Sequence, residues 1–139
     1  AEAQVAQAPT IAGAIEFLDR WRGKIPLYLL SATPQEELRR VIKKRNLTDH
    51  FDDVLGAPPD KTNGLSTLMA THHYDPSRTV MVGDSYNDYR AARSNNTNFV
   101  GIAPSKAKTP PFPEDVITQP DLTDLESALK LLTVKYKKT

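Results

Sequence analysis

Three short apolar runs, continuous rather than alternating, constrain this chain more than anything else in it. They are "IPLYLL" (25–30), "TVMVG" (79–83) and "NFVGIA" (98–103). A strand that is apolar at successive positions is buried on both faces, which requires a parallel sheet covered by helices. The stretches between the runs supply those helices. Ile11, Ala14, Ile15, Leu18 and Trp21 recur at helical spacing, with Thr10 as N-cap and Gly23 as the break. "TPQE" (33–36) has the form of a helix start with Thr33 as N-cap, Pro34 at the first position and Glu36 closing a capping box. That helix is expected to run to about Arg45 and to bury Leu38, Val41 and Ile42.

Further along, "DDVLGA" (52–57) reads as a short strand, 61–73 as a helix, "DPSR" (75–78) as a turn and 86–94 as a helix ending near Asn95-Asn96. "PSKAKTPPFPED" (104–115) holds four prolines and must be loop. "DVIT" (115–118) is a last short strand, and "TDLE" (123–126) is a second capping box opening a helix through Leu132. Strands alternating with helices of about ten residues imply a three-layer, Rossmann-like α/β domain with a parallel sheet. The whole of 1–139 is expected to be one such domain, with 1–8 and 134–139 as flexible ends.

Composition narrows the function. A net charge of +1 argues against a nucleic-acid or membrane partner. No apolar run approaches the ~20 residues of a membrane span, and the first ten residues lack the basic start and apolar centre of a signal peptide. The absence of cysteine rules out disulfides and thiolate chemistry and agrees with a cytoplasmic location.

Ligands of open α/β sheets bind beyond the carboxyl ends of the strands. Ser31, Lys61, Asp84 and Asp88 fall at such places. Ser31 is either a polar residue leaving a strand or a hydroxyl for a phosphate oxygen. Lys61 opens a helix, where a cation opposes the dipole unless an anion or carboxylate lies close. Asp84 and Asp88 either favour the dipole of the helix they precede or offer hard oxygens to magnesium, which keeps waters and takes few protein ligands. His72 and His73 sit at a helix end and point in different directions, which suits a structural role better than a shared metal.

In order, "LLSATP", "PPDKTNGL" and "VMVGDSYNDYRAA" resemble the second, third and fourth motifs of the haloacid dehalogenase-like (HAD) hydrolases. The similarity runs from about Pro9 to Leu132 and looks nearest to phosphoglycolate phosphatases. The resemblance implies magnesium-dependent phosphoryl transfer from a small phosphorylated metabolite through an aspartyl-phosphate. By position, Ser31 and the Ala32 amide would bind the phosphoryl group and Lys61 would neutralise its charge. Asp84 would ligate Mg2+, while Asp88 would orient metal waters or pair with Lys61. Phosphoryl transfer needs just such positioning and neutralisation.

One part of the pattern is missing. The family's first motif is an apolar strand ending in Asp-x-Asp, whose first acid is the nucleophile, and no such element exists in these residues. "DHFDDV" (49–54) carries acids at the wrong end of a strand. By the resemblance, the missing strand is central, between those ending at Ser31 and Gly83, and an N-terminal truncation is the simplest account. The two neighbours would then pair directly, pair between copies in a homodimer, or accept a complementing strand from another chain. The chain alone is expected to be inactive. The other expectation is a phosphate- or magnesium-binding module that dimerises through its strand edges.

Overall fold

The computed structural model describes residues 12–103 and 110–137. The elements in chain order are α1 (Ala14–Trp21), β1 (Tyr28–Pro34), α2 (Gln35–Lys44), β2 (Asp53–Ala57) and α3 (Lys61–His72). They continue with β3 (Val80–Gly83), α4 (Tyr86–Ser94), β4 (Asn98–Ile102), β5 (Ile117–Gln119) and α5 (Leu125–Lys137). The flexible end expected at 1–8 and Thr10 as a cap fall outside the described residues, as do 138–139 of the other expected flexible end and 104–109 of the proline-rich loop.

All described strand pairs are parallel. Side chains alternate across the strands as a three-layer fold requires. Leu29, Val54, Val80 and Val82 pack towards Leu38 and Ile42 of α2 or Leu125 and Ala128 of α5. Leu30, Leu55 and Met81 pack on the other face, against Leu65, Leu68 and Met69 of α3. β4 is buried at every position.

The sheet is in two parts. β1 pairs with β2, and β3, β4 and β5 form a second ladder. Among the described residues β1 and β3 do not pair, so direct closure of the sheet is not what the chain does. α3 bridges the two parts on one face, with its buried leucines touching Leu30 of β1 and Met81 of β3. Between the strands lies a cavity of about 710 Å³ lined by Tyr28–Leu30, Val80–Val82 and, across them, Phe17, Leu65 and Asp88. The consequence is visible in burial: β1 and β3 are half-buried through their apolar residues, whereas β4 is wholly enclosed.

Two helix starts differ from the local pattern. β1 runs on to Pro34, which is itself the N-cap of α2, and no side chain caps that helix. The expected Thr33 box does not form, because the Thr33 N–H donates to Ser31 Oγ at 3.0 Å. At the second expected box, Glu126 turns away from its helix start and accepts from Trp21 Nε1 at 3.0 Å while pairing with Arg20 at 3.2 Å. Gly13 permits the entry to α1: its φ is +84°, and a Cβ there would lie 2.3 Å from the Thr123 backbone nitrogen.

Candidate active site

The β3–α4 junction is built from a few adjacent residues. Ser85 caps α4, with its hydroxyl accepting from the Asp88 N–H, and the Asp88 carboxylate reaches back to the Ser85 N–H. This reciprocal box orients the Asp88 side chain through contacts within a single helical turn. Gly83 makes the inward turn of that carboxylate possible, since a Cβ at Gly83 would lie 2.4 Å from Asp88 Oδ2. The glycine role was not read from the sequence; its signal was a glycine ending an apolar run directly before an acid.

Lys61 is delivered by the other half of the sheet. Asp60 caps α3 by accepting the Asn63 N–H at 2.9 Å, so Lys61 is the first helical residue. The Asn95 side chain donates to the Thr62 carbonyl at 3.0 Å and ties the end of α4 to the start of α3. Lys61 Nζ then donates to Asp88 Oδ1 at 2.8 Å. The pair is almost sealed, with Lys61 8% and Asp88 2% exposed. Here is the carboxylate that reverses the dipole penalty of a lysine at a helix N-terminus.

Burial alone would raise the Asp88 pKa, but the Lys61 hydrogen bond and charge and the Ser85 hydrogen bond hold it below the usual carboxylate range. Asp88 is therefore ionised at neutral pH. Its Oδ2 is occupied by the Ser85 N–H and hydroxyl. Lys61 has three N–H donors, of which Asp88 takes one.

The structure thus brings Lys61 and Ser85 each into direct contact with Asp88. Ser31 is buried at the far end of the β1 apolar run, and Ala32 beside it is exposed. Among the described residues no hydrogen bond joins Ser31 to Lys61. Asp84 is half-buried at the end of β3, one residue beyond Gly83. Among the described residues no three acidic or histidine side chains converge to form a metal cage. Asp84 and Asp88, at the end of β3 and in the first turn of α4, carry hard carboxylate oxygens of the type magnesium accepts in ones or twos while retaining waters. His72 stacks on Tyr74 at 5.3 Å, and Tyr74 shares a 2.7 Å hydroxyl contact with Tyr28, so His72 belongs to a structural aromatic cluster.

A family model for the haloacid dehalogenase-like hydrolases matches residues 2–96. The chain belongs to that family. Among curated relatives it is 30% identical over 123 residues to a phosphoglycolate phosphatase of Vibrio vulnificus, a match covering 80% of this chain and 53% of the relative. The chain spans about half the length of the curated relatives it matches. Its fold is shared with a haloacid dehalogenase-like family hydrolase from Xanthomonas campestris, at 15% identity and a TM-score of 0.76 over 93% of this chain and 57% of that one. It is also shared with YfnB of Bacillus subtilis, solved bound to magnesium, at 16% identity and a TM-score of 0.72 over 86% of this chain and 55% of that one. No helix among the described residues is long and apolar enough to cross a membrane.

Proposed function

We propose that this chain forms the phosphate- and magnesium-binding part of a HAD-type phosphohydrolase for small phosphate esters, and that its nucleophilic carboxylate arrives on a strand seated between β1 and β3. The observation that carries this reading is the open cleft with Asp88, held by Lys61, in its wall. Strands are 4.7–4.9 Å apart in a sheet, and the cleft separates two parallel ladders whose facing edges are unpaired among the described residues. A strand there would place its last side chain beside the ends of β1 and β3.

In this reading the Ser31 hydroxyl and Ala32 amide hold an oxygen of the transferring phosphoryl group. The Lys61 ammonium, steadied by Asp88, offsets charge on that group and on the incoming carboxylate. Asp84 would hold magnesium directly or through water, while Asp88, of the two roles open to it, takes the pairing with Lys61. The ion, when bound, supplies positive charge to the phosphoryl oxygens. The curated phosphoglycolate phosphatase relatives support a small phosphorylated metabolite as substrate. A cysteine-free chain suits a reducing compartment, and this reading places it in the cytoplasm.

The test is hydrolysis of p-nitrophenyl phosphate with Mg2+ by the chain alone and by the chain joined to a family first-motif segment. The chain alone should be inactive and the joined form active, with Asp84→Asn or Lys61→Met in the joined form lowering kcat by about 10²-fold or more. Robust hydrolysis by the chain alone, abolished by Asp84→Asn, would overturn the absence of a nucleophile. The unpaired edges of β1 and β3 also favour a second reading, an inactive module that pairs edge to edge with a copy of itself. Light scattering over a concentration series separates the two, since a persistent monomer excludes edge-mediated dimerisation.

A further inference from the structure

Gln35 has a bonding pattern that its place at the start of α2 does not require. Its Nε2 donates to the Val54 carbonyl at 2.9 Å, and its Oε1 accepts the Gly56 N–H. A carbonyl and an N–H two residues apart on one strand face the same side and are normally taken by a single residue of a neighbouring strand. The Gln35 carboxamide takes both, so one side chain does the work of a strand residue. It does so where β1 loses register: Leu30 pairs with Leu55, but the next pair is Pro34 with Ala57. β1 therefore spends two residues more than β2 over this step, and the excess lies at Ser31–Thr33, where the strand bulges into a local turn.

That turn is shaped from three sides. The Thr33 N–H closes onto Ser31 Oγ, which engages the hydroxyl as an acceptor and leaves its proton for another group. The Thr33 carbonyl and the Gln35 backbone press on Gly56, where a Cβ would lie 2.4 Å from the carbonyl oxygen and 2.8 Å from Gln35 Cα. The Gln35 carboxamide, accepting the Gly56 N–H, then holds this close approach. α2 has no side-chain cap of its own at Pro34.

We propose that Gln35 is the positioning residue of the phosphate-binding turn: by stapling the start of α2 to Val54 and Gly56 it holds Ser31–Thr33 in the shape that presents the Ser31 hydroxyl and Ala32 amide to a phosphoryl oxygen. The inference rests on the proposed phosphate role of Ser31 and Ala32. An edge cap with no bearing on the ligand would use the same bonds, and the experiment separates the two.

The 139-residue chain, Gln35→Leu and Gly56→Ala are titrated with inorganic phosphate in the presence of Mg2+ and followed by the backbone amides in heteronuclear NMR. The parent chain should show saturable shifts at Ala32 and Thr33. Gln35→Leu should weaken phosphate binding about fivefold or more, and Gly56→Ala, which displaces the Thr33 carbonyl from the other side, should do the same. The amides around Asp88 in the ligand-free protein should stay in place in both variants. Phosphate affinity within about twofold of the parent in folded Gln35→Leu makes Gln35 an edge cap and overturns the proposal. If the parent shows no response at Ser31–Thr33, the phosphate reading itself has failed, and the positioning role with it. Should Gln35→Leu not fold, Gly56→Ala decides; if neither folds, the staple determines the fold rather than the ligand geometry, and the proposal is overturned.

Discussion

Lys61→Met keeps most of the bulk of the lysine stem and removes its charge, leaving Asp88 ionised and 2% exposed. The carboxylate retains the Ser85 hydroxyl at 2.9 Å and the Ser85 N–H at 3.2 Å but loses the ammonium at 2.8 Å. Removing one partner of a buried pair costs about 3–5 kcal/mol, because the other charge stays in the interior unpaired. Against the ~5–15 kcal/mol of a whole domain that is a large loss. With a urea m-value of about 1.5 kcal/mol/M, the unfolding midpoint should fall by about 2–3 M at pH 7. The pH dependence makes the test specific. In the parent the folded Asp88 pKa is lowered, so its contribution is present above the unfolded value near ~3.9 and lost as pH falls through the folded value. In Lys61→Met burial dominates and raises the folded pKa above the unfolded one, so proton uptake favours the folded state. The stability gap should therefore narrow as pH falls from 7 towards about 4. Adding Asp88→Asn to Lys61→Met should restore part of the loss. A gap below about 1 kcal/mol at pH 7, or one unchanged with pH, would refute a tightly coupled buried pair.

Gly83→Ala introduces a Cβ 2.4 Å from the Asp88 carboxylate, so the pair must shift; overpacking of about 1–3 kcal/mol is expected in urea unfolding, together with a raised Asp88 pKa by NMR titration. Leu38→Ala, at a fully buried position, should cost about 2–5 kcal/mol. Leu30→Ala should cost less by the same measurement, because Leu30 lines the open cleft and is only half-buried; equal costs would mean that the cleft is closed in solution.

Much of the layout was legible because it is local. Continuous apolar runs marked β1, β3 and β4, and "GDSYND" marked the β3–α4 junction, where Ser85 and Asp88 satisfy each other within one turn. The same local logic failed at Thr33 and Glu126. There the expected capping groups had better offers: Ser31 Oγ takes the Thr33 N–H, and Trp21, distant along the chain, takes the Glu126 carboxylate. Gly56, Gln35 and Asn95 carried no signal, since each acts through a partner on another element. Lys61 lay between. Its unfavourable place at a helix start announced a missing anion, and the structure supplies Asp88.

The alternation of strands and helices, the order of the family's second, third and fourth motifs, and the absence of an Asp-x-Asp strand from these residues are all written in the linear chain. Hydrophobic period and local capping are properties of neighbours in the chain, so they survive without a fold. That β1 and β3 stand apart around a cleft, and that Asp88 is spent on Lys61, emerges from packing in three dimensions. Both depend on how α3 packs across two ladders and against α4, and that packing brings together groups the chain keeps far apart.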